Sequence, residues 1–291
     1  LIRRADTALY RAKLEGRGQV RAYDSSFDVD GRARLEDELR HGISSGEVVP
    51  YFHPLVDLPT GRLRGFEVLS RWQHPAKGLI HPEVFIPLAE DTGQITQLTM
   101  AVLRQASIVA NRLPHDLSIA INISPQQLRD ESLAARLLAV LDETGFPPSR
   151  LEVELTEQAL VADFALAKRI INSLRSVGMR IALDDFGTGY SSLAYLSELP
   201  VDTIKIDRLF IETLHVRAES AKIVRAIVGV GKSLGLQTVA EGVNSESDAA
   251  LLREIGCSIG QGFLYSKPLP AAEVADLVHS FAAVRPQRAI A

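Results

Sequence analysis

Asp184 and Asp185 stand side by side in IALDDFGTGYSSL, residues 181–193, where a short apolar run ends. Adjacent carboxylates raise each other's pKa and cost stability unless a cation separates them. Polar side chains close six other short apolar runs: Glu67 in FEVL, Asn122 in INIS, Glu154 and Glu157 in ELTE, Lys205 in IKID, Glu241 in AEGV and Gln261 in GQGF. Burying so many carboxylates together is prohibitive without metal ions. Glu67, Asn122, Glu154 and Asp184 form an all-oxygen set, which suits Mg²⁺ or Mn²⁺ better than Zn²⁺. Asp184 can bridge two ions ~3.5–4 Å apart while Asp185 holds the second, and such ion pairs activate water against phosphodiesters. Taken singly, each residue has a plainer reading: a strand-end cap for Glu or Asn, a snorkelling surface amine for Lys205. Their shared position at the ends of successive runs outweighs it. The glycines of DDFGTGYSS suit a closing loop or a tight turn equally. His74, His81, His115, His215 and His279 fall in loop or helix contexts and receive no catalytic role.

The elements that must position these residues alternate along the chain. Short β-like runs lie at 117–124, 151–157, 179–185, 203–207, 237–243 and 258–265, with helical stretches at 131–144, 163–177, 218–234 and 246–255. Strand and helix alternating at roughly 30-residue spacing is the arithmetic of an α/β fold of the (β/α)₈ TIM-like barrel type. A doubly wound open sheet is the alternative. In a barrel, the C-terminal strand ends converge on one mouth, which is where the polar residues fall. Before the alternation begins, VVPYFHPLVDL and RLRGFEVLSRW flank the turn PTG at 59–61 and read as a hairpin. That makes one strand near the start of the barrel antiparallel to its neighbours.

Composition narrows the class further. With 291 residues, 46% hydrophobic and 23% charged, the chain can bury a substantial core. A net charge of −4 argues against binding to nucleic-acid polymers or anionic membranes. Cys257 is the single cysteine, which excludes an intrachain disulfide and fits a cytoplasmic compartment. No apolar run approaches the ~20 residues of a membrane span, so no membrane contact is expected of this stretch. The opening LIRRAD, without Met, reads as a fragment of a longer protein, whose parent could be membrane-anchored.

The ordered signatures EVLSRW, NISPQQL, ELTE, DDFGTGYSSL, PVDTIKID, AEGV and GQGFLYSKP give residues 35–281 a specific resemblance. The segment resembles the EAL domain, a phosphodiesterase that linearises the bacterial second messenger cyclic di-GMP to 5′-pGpG. The resemblance implies that Glu67, Asn122, Glu154 and Asp184 hold the first of two Mg²⁺ or Mn²⁺ ions and Asp185 the second. It makes Glu241 the acid that handles the attacking water, Lys205 the lysine that positions the water or the phosphate, and Gln261 the residue beside it. Glu157 is implied to hold the DDFGTGYSS loop in its working shape, and Arg71 to contact a substrate phosphate. It further implies a homodimer through the barrel face near the 184–192 loop. Two departures stand out: Glu-Val-Leu replaces Glu-Ala-Leu, and His53 precedes Pro54 where the family usually has Gln touching a guanine. Imidazole cannot reproduce the two-way pairing of an amide, so substrate affinity is the property placed in doubt. Residues 1–24, through RADTALYRAKLEGRGQVRAYD, resemble the C-terminal end of a diguanylate cyclase (GGDEF) domain. Residues 25–34 read as a linker or the start of a connecting helix, and 282–291 as a tail. The competing functions are a catalytically weak or inactive cyclic di-GMP receptor, or an unrelated barrel enzyme with a similar carboxylate mouth.

Overall fold

The computed structural model describes residues 30–187, 196 and 198–283. These residues fall into two compact units. The first takes the chain up to Pro50 together with Ser70–Val102, and the second takes Tyr51–Leu69 and everything from Leu103.

The second unit is built on a closed eight-stranded barrel, the fold expected from the sequence. The chain forms, in order, β1 (Val48–Asp57), β2 (Leu63–His74), β3 (Gly78–Ile80), β4 (Ser118–Ile123), β5 (Leu151–Thr156), β6 (Arg180–Phe186), β7 (Thr203–Ile206), β8 (Gln237–Glu241), β9 (Ile259–Gln261) and β10 (Leu269–Pro270). Strands β2 and β4 to β9 run parallel, each paired with the next, and a β1–β2 pairing closes the ring. β1 runs antiparallel to β9, with Val56 opposite Gly260, so the opening hairpin supplies the one reversed strand. Its turn is fixed by Asp57, whose amide donates to the Arg62 carbonyl at 2.8 Å. β5 is buried along almost its whole length, as expected where both faces of a parallel strand are covered. Gly65 allows β2 to close on β4: a Cβ there would lie 2.2 Å from the Ser118 carbonyl oxygen. That approach sets the register that carries Glu67, two residues on, opposite Ala120.

The helices carry local start and stop signals. They are α1 (Asp30–Ser45), α2 (Pro82–Asp91), α3 (Ile95–Ala110), α4 (Leu133–Thr144), α5 (Glu157–Ala162), α6 (Phe164–Ser176), α7 (Arg208–Glu212), α8 (Ala218–Leu234), α9 (Glu246–Ile255) and α10 (Val274–Ala283). In α4, Leu133, Ala134, Leu137, Val140 and Leu141 form the buried stripe of an amphipathic helix. Its left-handed Gly145 then ends it, donating to the last-turn carbonyls. α9 opens with a reciprocal Ser245–Asp248 capping box. No helix among the described residues is long and apolar enough to cross a membrane.

The first unit contains α1, which starts at Asp30 inside the stretch read as linker or connecting helix. Trp72 is buried there, with its indole N–H donating to Glu47 at 3.0 Å and Phe85 packed edge-on at 6.1 Å. The GGDEF-like reading of residues 1–24 lies outside the described residues, as do residues 188–192 of the DDFGTGYSS loop.

Candidate active site

Seven parallel strands each deliver a polar group to the barrel mouth. Lys205, on β7, is 1% exposed, and its ammonium sits among four carboxylates. Its Nζ lies 2.7 Å from Glu154 Oε2, 2.7 Å from Glu241 Oε1, 3.3 Å from Asp184 Oδ1 and 3.7 Å from Glu67 Oε1. Glu67 is gripped by two amides: Asn122 Nδ2 donates to Oε1 at 2.7 Å and Gln261 Nε2 to Oε2 at 2.6 Å. Gln261 also reaches His53 Nδ1 at 2.9 Å. Glu154, Lys205 and Gln261 lie deep, while Asp185 and Glu241 are half-buried and Asn122 is exposed at the lip. The site therefore opens to solvent through its oxygen ligands.

The paired aspartates are brought together by a backbone irregularity. In a regular strand successive side chains face opposite ways. Here Leu183 pairs with Ile204 and Phe186 with Ile206, so β6 carries one residue more than β7 across this interval, a β-bulge. Asp185 adopts the left-handed conformation at φ 55°, uncommon for residues other than glycine but more accessible to aspartate than to most. The Asp185 amide donates to its neighbour's Oδ1 at 3.0 Å. With the backbone so turned, Asp184, Asp185 and Glu241 each offer an oxygen within 4.8 Å of the others. Glu241 thus joins the aspartate pair as a further candidate ligand, beyond the acid role expected of it.

Electrostatics express the crowding. Burial pushes Glu241 up to about 8, with Asp184 and Glu67 adding to the rise against Lys205. Asp185 rises to about 6 through burial, Asp184 and a hydrogen bond with Asp207. Burial also drives Glu154 well above the carboxylate range despite Lys205. Glu67 behaves oppositely: burial would raise it, but Lys205 and the Gln261 and Asn122 amides together hold it below the usual value. For Lys205, burial favours the neutral amine, and Glu154, Glu241, Glu67 and Asp184 overcome it and hold the ammonium.

This donor set fits hard divalent cations. The carboxylates of Glu67, Glu154, Asp184 and Glu241 surround a single ammonium, and Asp185 stands beside Asp184 and Glu241, which leaves negative charge in excess when all are ionised. Divalent cations would offset it, and oxygen is the donor they prefer. The buried Gln261 Oε1 has no hydrogen-bond partner among the described residues, leaving an acceptor at the site for a water or ligand donor.

Ten of the eleven sequence-predicted residues lie in the second unit, and nine of them belong to this network. Glu157 is buried in that unit but opens α5 behind Thr156, so it is not a strand residue. The β-like run read at 151–157 therefore ends one residue earlier, at Thr156. Its expected partner, the loop beyond Gly187, lies outside the described residues. Arg71 falls in the first unit, where its guanidinium donates to the Ser70 carbonyl at 2.8 Å. Sequence reading passed over Asp207, which hydrogen-bonds Asp185 and caps α7 through the Leu209 amide at 2.7 Å. The available signal was its two-residue spacing from Lys205 in IKID.

The EAL domain family model matches residues 36–268. The chain is 39% identical over 277 residues to the cyclic di-GMP phosphodiesterase PdeR of Escherichia coli K12, covering 93% of this chain and 42% of that protein. It is also 39% identical over 280 residues to MucR of Pseudomonas aeruginosa, a bifunctional diguanylate cyclase/cyclic di-GMP phosphodiesterase, covering 94% and 41%. Among solved structures, the PaMucR phosphodiesterase in its c-di-GMP complex aligns at a TM-score of 0.79 and 39% identity, covering 83% of this chain and 99% of that one. The EAL domain of Mycobacterium smegmatis DcpA aligns at 0.67 and 33% identity, covering 81% and 97%. The chain spans less than half the length of the curated relatives it matches.

Proposed function

The chain belongs to the EAL domain family, and we propose that its barrel hydrolyses cyclic di-GMP to linear 5′-pGpG with two divalent cations. The observation that carries this reading is the charge excess at the mouth, where four carboxylates surround one ammonium and Asp185 adds another beside them. A receptor that only bound an anionic dinucleotide would gain nothing from it without cations. Glu67, Asn122, Glu154 and Asp184 would hold one ion, and Asp185 and Glu241 would help to hold the other. Mg²⁺ or Mn²⁺, when bound, supplies Lewis acidity and a water of lowered pKa. Glu241 accepts the proton of the attacking water, and Lys205 donates to phosphoryl oxygens as negative charge builds on them. Lys205, aided by the two amide donors, keeps Glu67 ionised against its burial, ready to ligate without first losing a proton. Arg71 contacts a substrate phosphate, and Glu157 sets the shape of the 184–192 loop. The expected homodimer through the face near that loop belongs to the same proposal, as does a cytoplasmic location.

The test is hydrolysis of cyclic di-GMP, followed by ion-pair chromatography, with Mg²⁺ or Mn²⁺ against an EDTA control. Metal-dependent release of 5′-pGpG is expected. Tight nucleotide binding with no turnover in either metal would instead make the chain a receptor.

A further inference from the structure

The residue at which this chain departs from the family pattern is wired to a proposed metal ligand. Gln261 Nε2 carries two hydrogens, and its two short contacts, Glu67 Oε2 at 2.6 Å and His53 Nδ1 at 2.9 Å, use both. The amide orientation is determined by this arrangement, because a flip would set Oε1 against the Glu67 carboxylate, acceptor to acceptor. His53 Nδ1 must therefore offer its lone pair, which leaves the ring proton on Nε2. The β1–β9 register supports the geometry. Continuing from Val56 opposite Gly260 puts Leu55 opposite Gln261, with His53 as the diagonal neighbour on the same face. The His53 ring is further held against Phe263, centroid to centroid 6.2 Å.

Glu67 is thus oriented from both sides, by Asn122 at Oε1 and by Gln261 at Oε2. Among the described residues, Gln261 has a further partner across the sheet, His53. We propose that His53 is a positioning residue for Glu67, acting through Gln261. This goes beyond a contact with a substrate base, and it rests on the reading of Glu67 as a metal ligand. Groups that orient a ligand typically change metal affinity by about 10–100-fold when removed.

The experiment measures Mn²⁺ affinity by electron paramagnetic resonance, alongside kcat and KM, in wild type, His53→Phe and His53→Asn. His53→Phe keeps an aromatic ring against Phe263 but removes the acceptor, and Mn²⁺ affinity should fall about tenfold. Its kcat should drop at limiting Mn²⁺ and recover at excess. His53→Asn, whose Oδ1 sits where Nδ1 does, should retain most of the affinity. In a Gln261→Met background, His53→Phe should have no further effect, because the link is already cut. Should His53→Phe fail to fold, His53→Leu enters the same cycle. Unchanged Mn²⁺ affinity in His53→Phe, with only KM altered, overturns the inference and leaves the metal reading standing. No saturable Mn²⁺ binding by wild type overturns both.

Discussion

Glu152 and Glu154 stand two residues apart on β5, on the same face of the strand, both buried, and they meet different company. Glu152, toward the barrel floor, is paired with Arg180 at 3.7 Å and accepts from the Thr203 hydroxyl at 3.3 Å. Glu154, at the mouth, shares the Lys205 ammonium with Glu241, Asp184 and Glu67. At the floor the charges are close to balanced; at the mouth they are not. A buried imbalance is destabilising and persists where a ligand resolves it. The contrast separates carboxylates that hold the barrel from carboxylates that wait for cations.

The sharpest break of that contrast is removal of a mouth carboxylate. Glu67→Ala deletes a ligand held by two amides. Turnover should fall on the order of a thousandfold or more, since metal-borne charge stabilisation is worth several kcal/mol. EDTA should have the same effect on wild type, and Ca²⁺ should not restore activity, because it prefers more ligands at longer distances. Comparable hydrolysis in EDTA would remove the distinction between mouth and floor altogether.

Next in size is Lys205→Met. It deletes the ammonium shared by the four carboxylates, and breaking a buried ion pair by removing one partner costs about 3–5 kcal/mol. The melting temperature in EDTA should fall well below wild type, and Mg²⁺ should raise it by more than it raises wild type. Turnover should be lost in both conditions. An unchanged melting temperature in EDTA would mean that protons on the carboxylates, and not Lys205, hold the metal-free mouth together.

A smaller effect is expected at Glu157, the buried first residue of α5. Glu157→Ala should lower kcat while leaving the number of bound Mn²⁺ ions unchanged, because no ligand is removed. Loss of one ion by titration would move Glu157 into the ligand set.

Much of this was legible in the residues, for physical reasons. The strand pattern and the (β/α)₈ count follow from apolar runs whose burial on both faces leaves a clear signature. Helix 246–255 was read to the residue because the Ser245–Asp248 box and Gly256 mark its ends. The segment from 78 to 110 was silent: β3 has three residues, and α2 contains Pro87, which reads as a helix breaker. The bulge at Asp184–Asp185 was equally hidden, since alternation alone predicts that the two side chains diverge. Glu157 was misplaced because ELTE reads as continuous strand, whereas the helix begins at its last residue. The His53–Gln261–Glu67 link joins residues about two hundred positions apart, and only the closing of the barrel brings them together.

The smallest effect belongs to the floor, and its sign is its test. Burial raises the Glu152 carboxyl above its ordinary value, opposed by Arg180, Lys205 and the Thr203 hydroxyl and aided by Asp202. A carboxyl whose folded pKa exceeds its unfolded value of about 4.3 contributes stability that is fully present below that value. The contribution is lost as pH rises through the folded pKa. Glutamine does not titrate, keeps the volume and can still accept from Thr203. Glu152→Gln should therefore compare least well with wild type near pH 4 and improve steadily against it as pH rises. Its net change near neutrality should stay within about 1–2 kcal/mol, because the partly exposed Arg180 retains water when its partner is neutralised. Cyclic di-GMP turnover should remain within about twofold, since the floor touches no reacting group. Urea unfolding of both proteins from pH 4 to pH 8 reads the difference directly. A difference that stays flat across that range would mean that Glu152 ionises as readily inside the barrel as outside it, and that the floor holds no electrostatic tension.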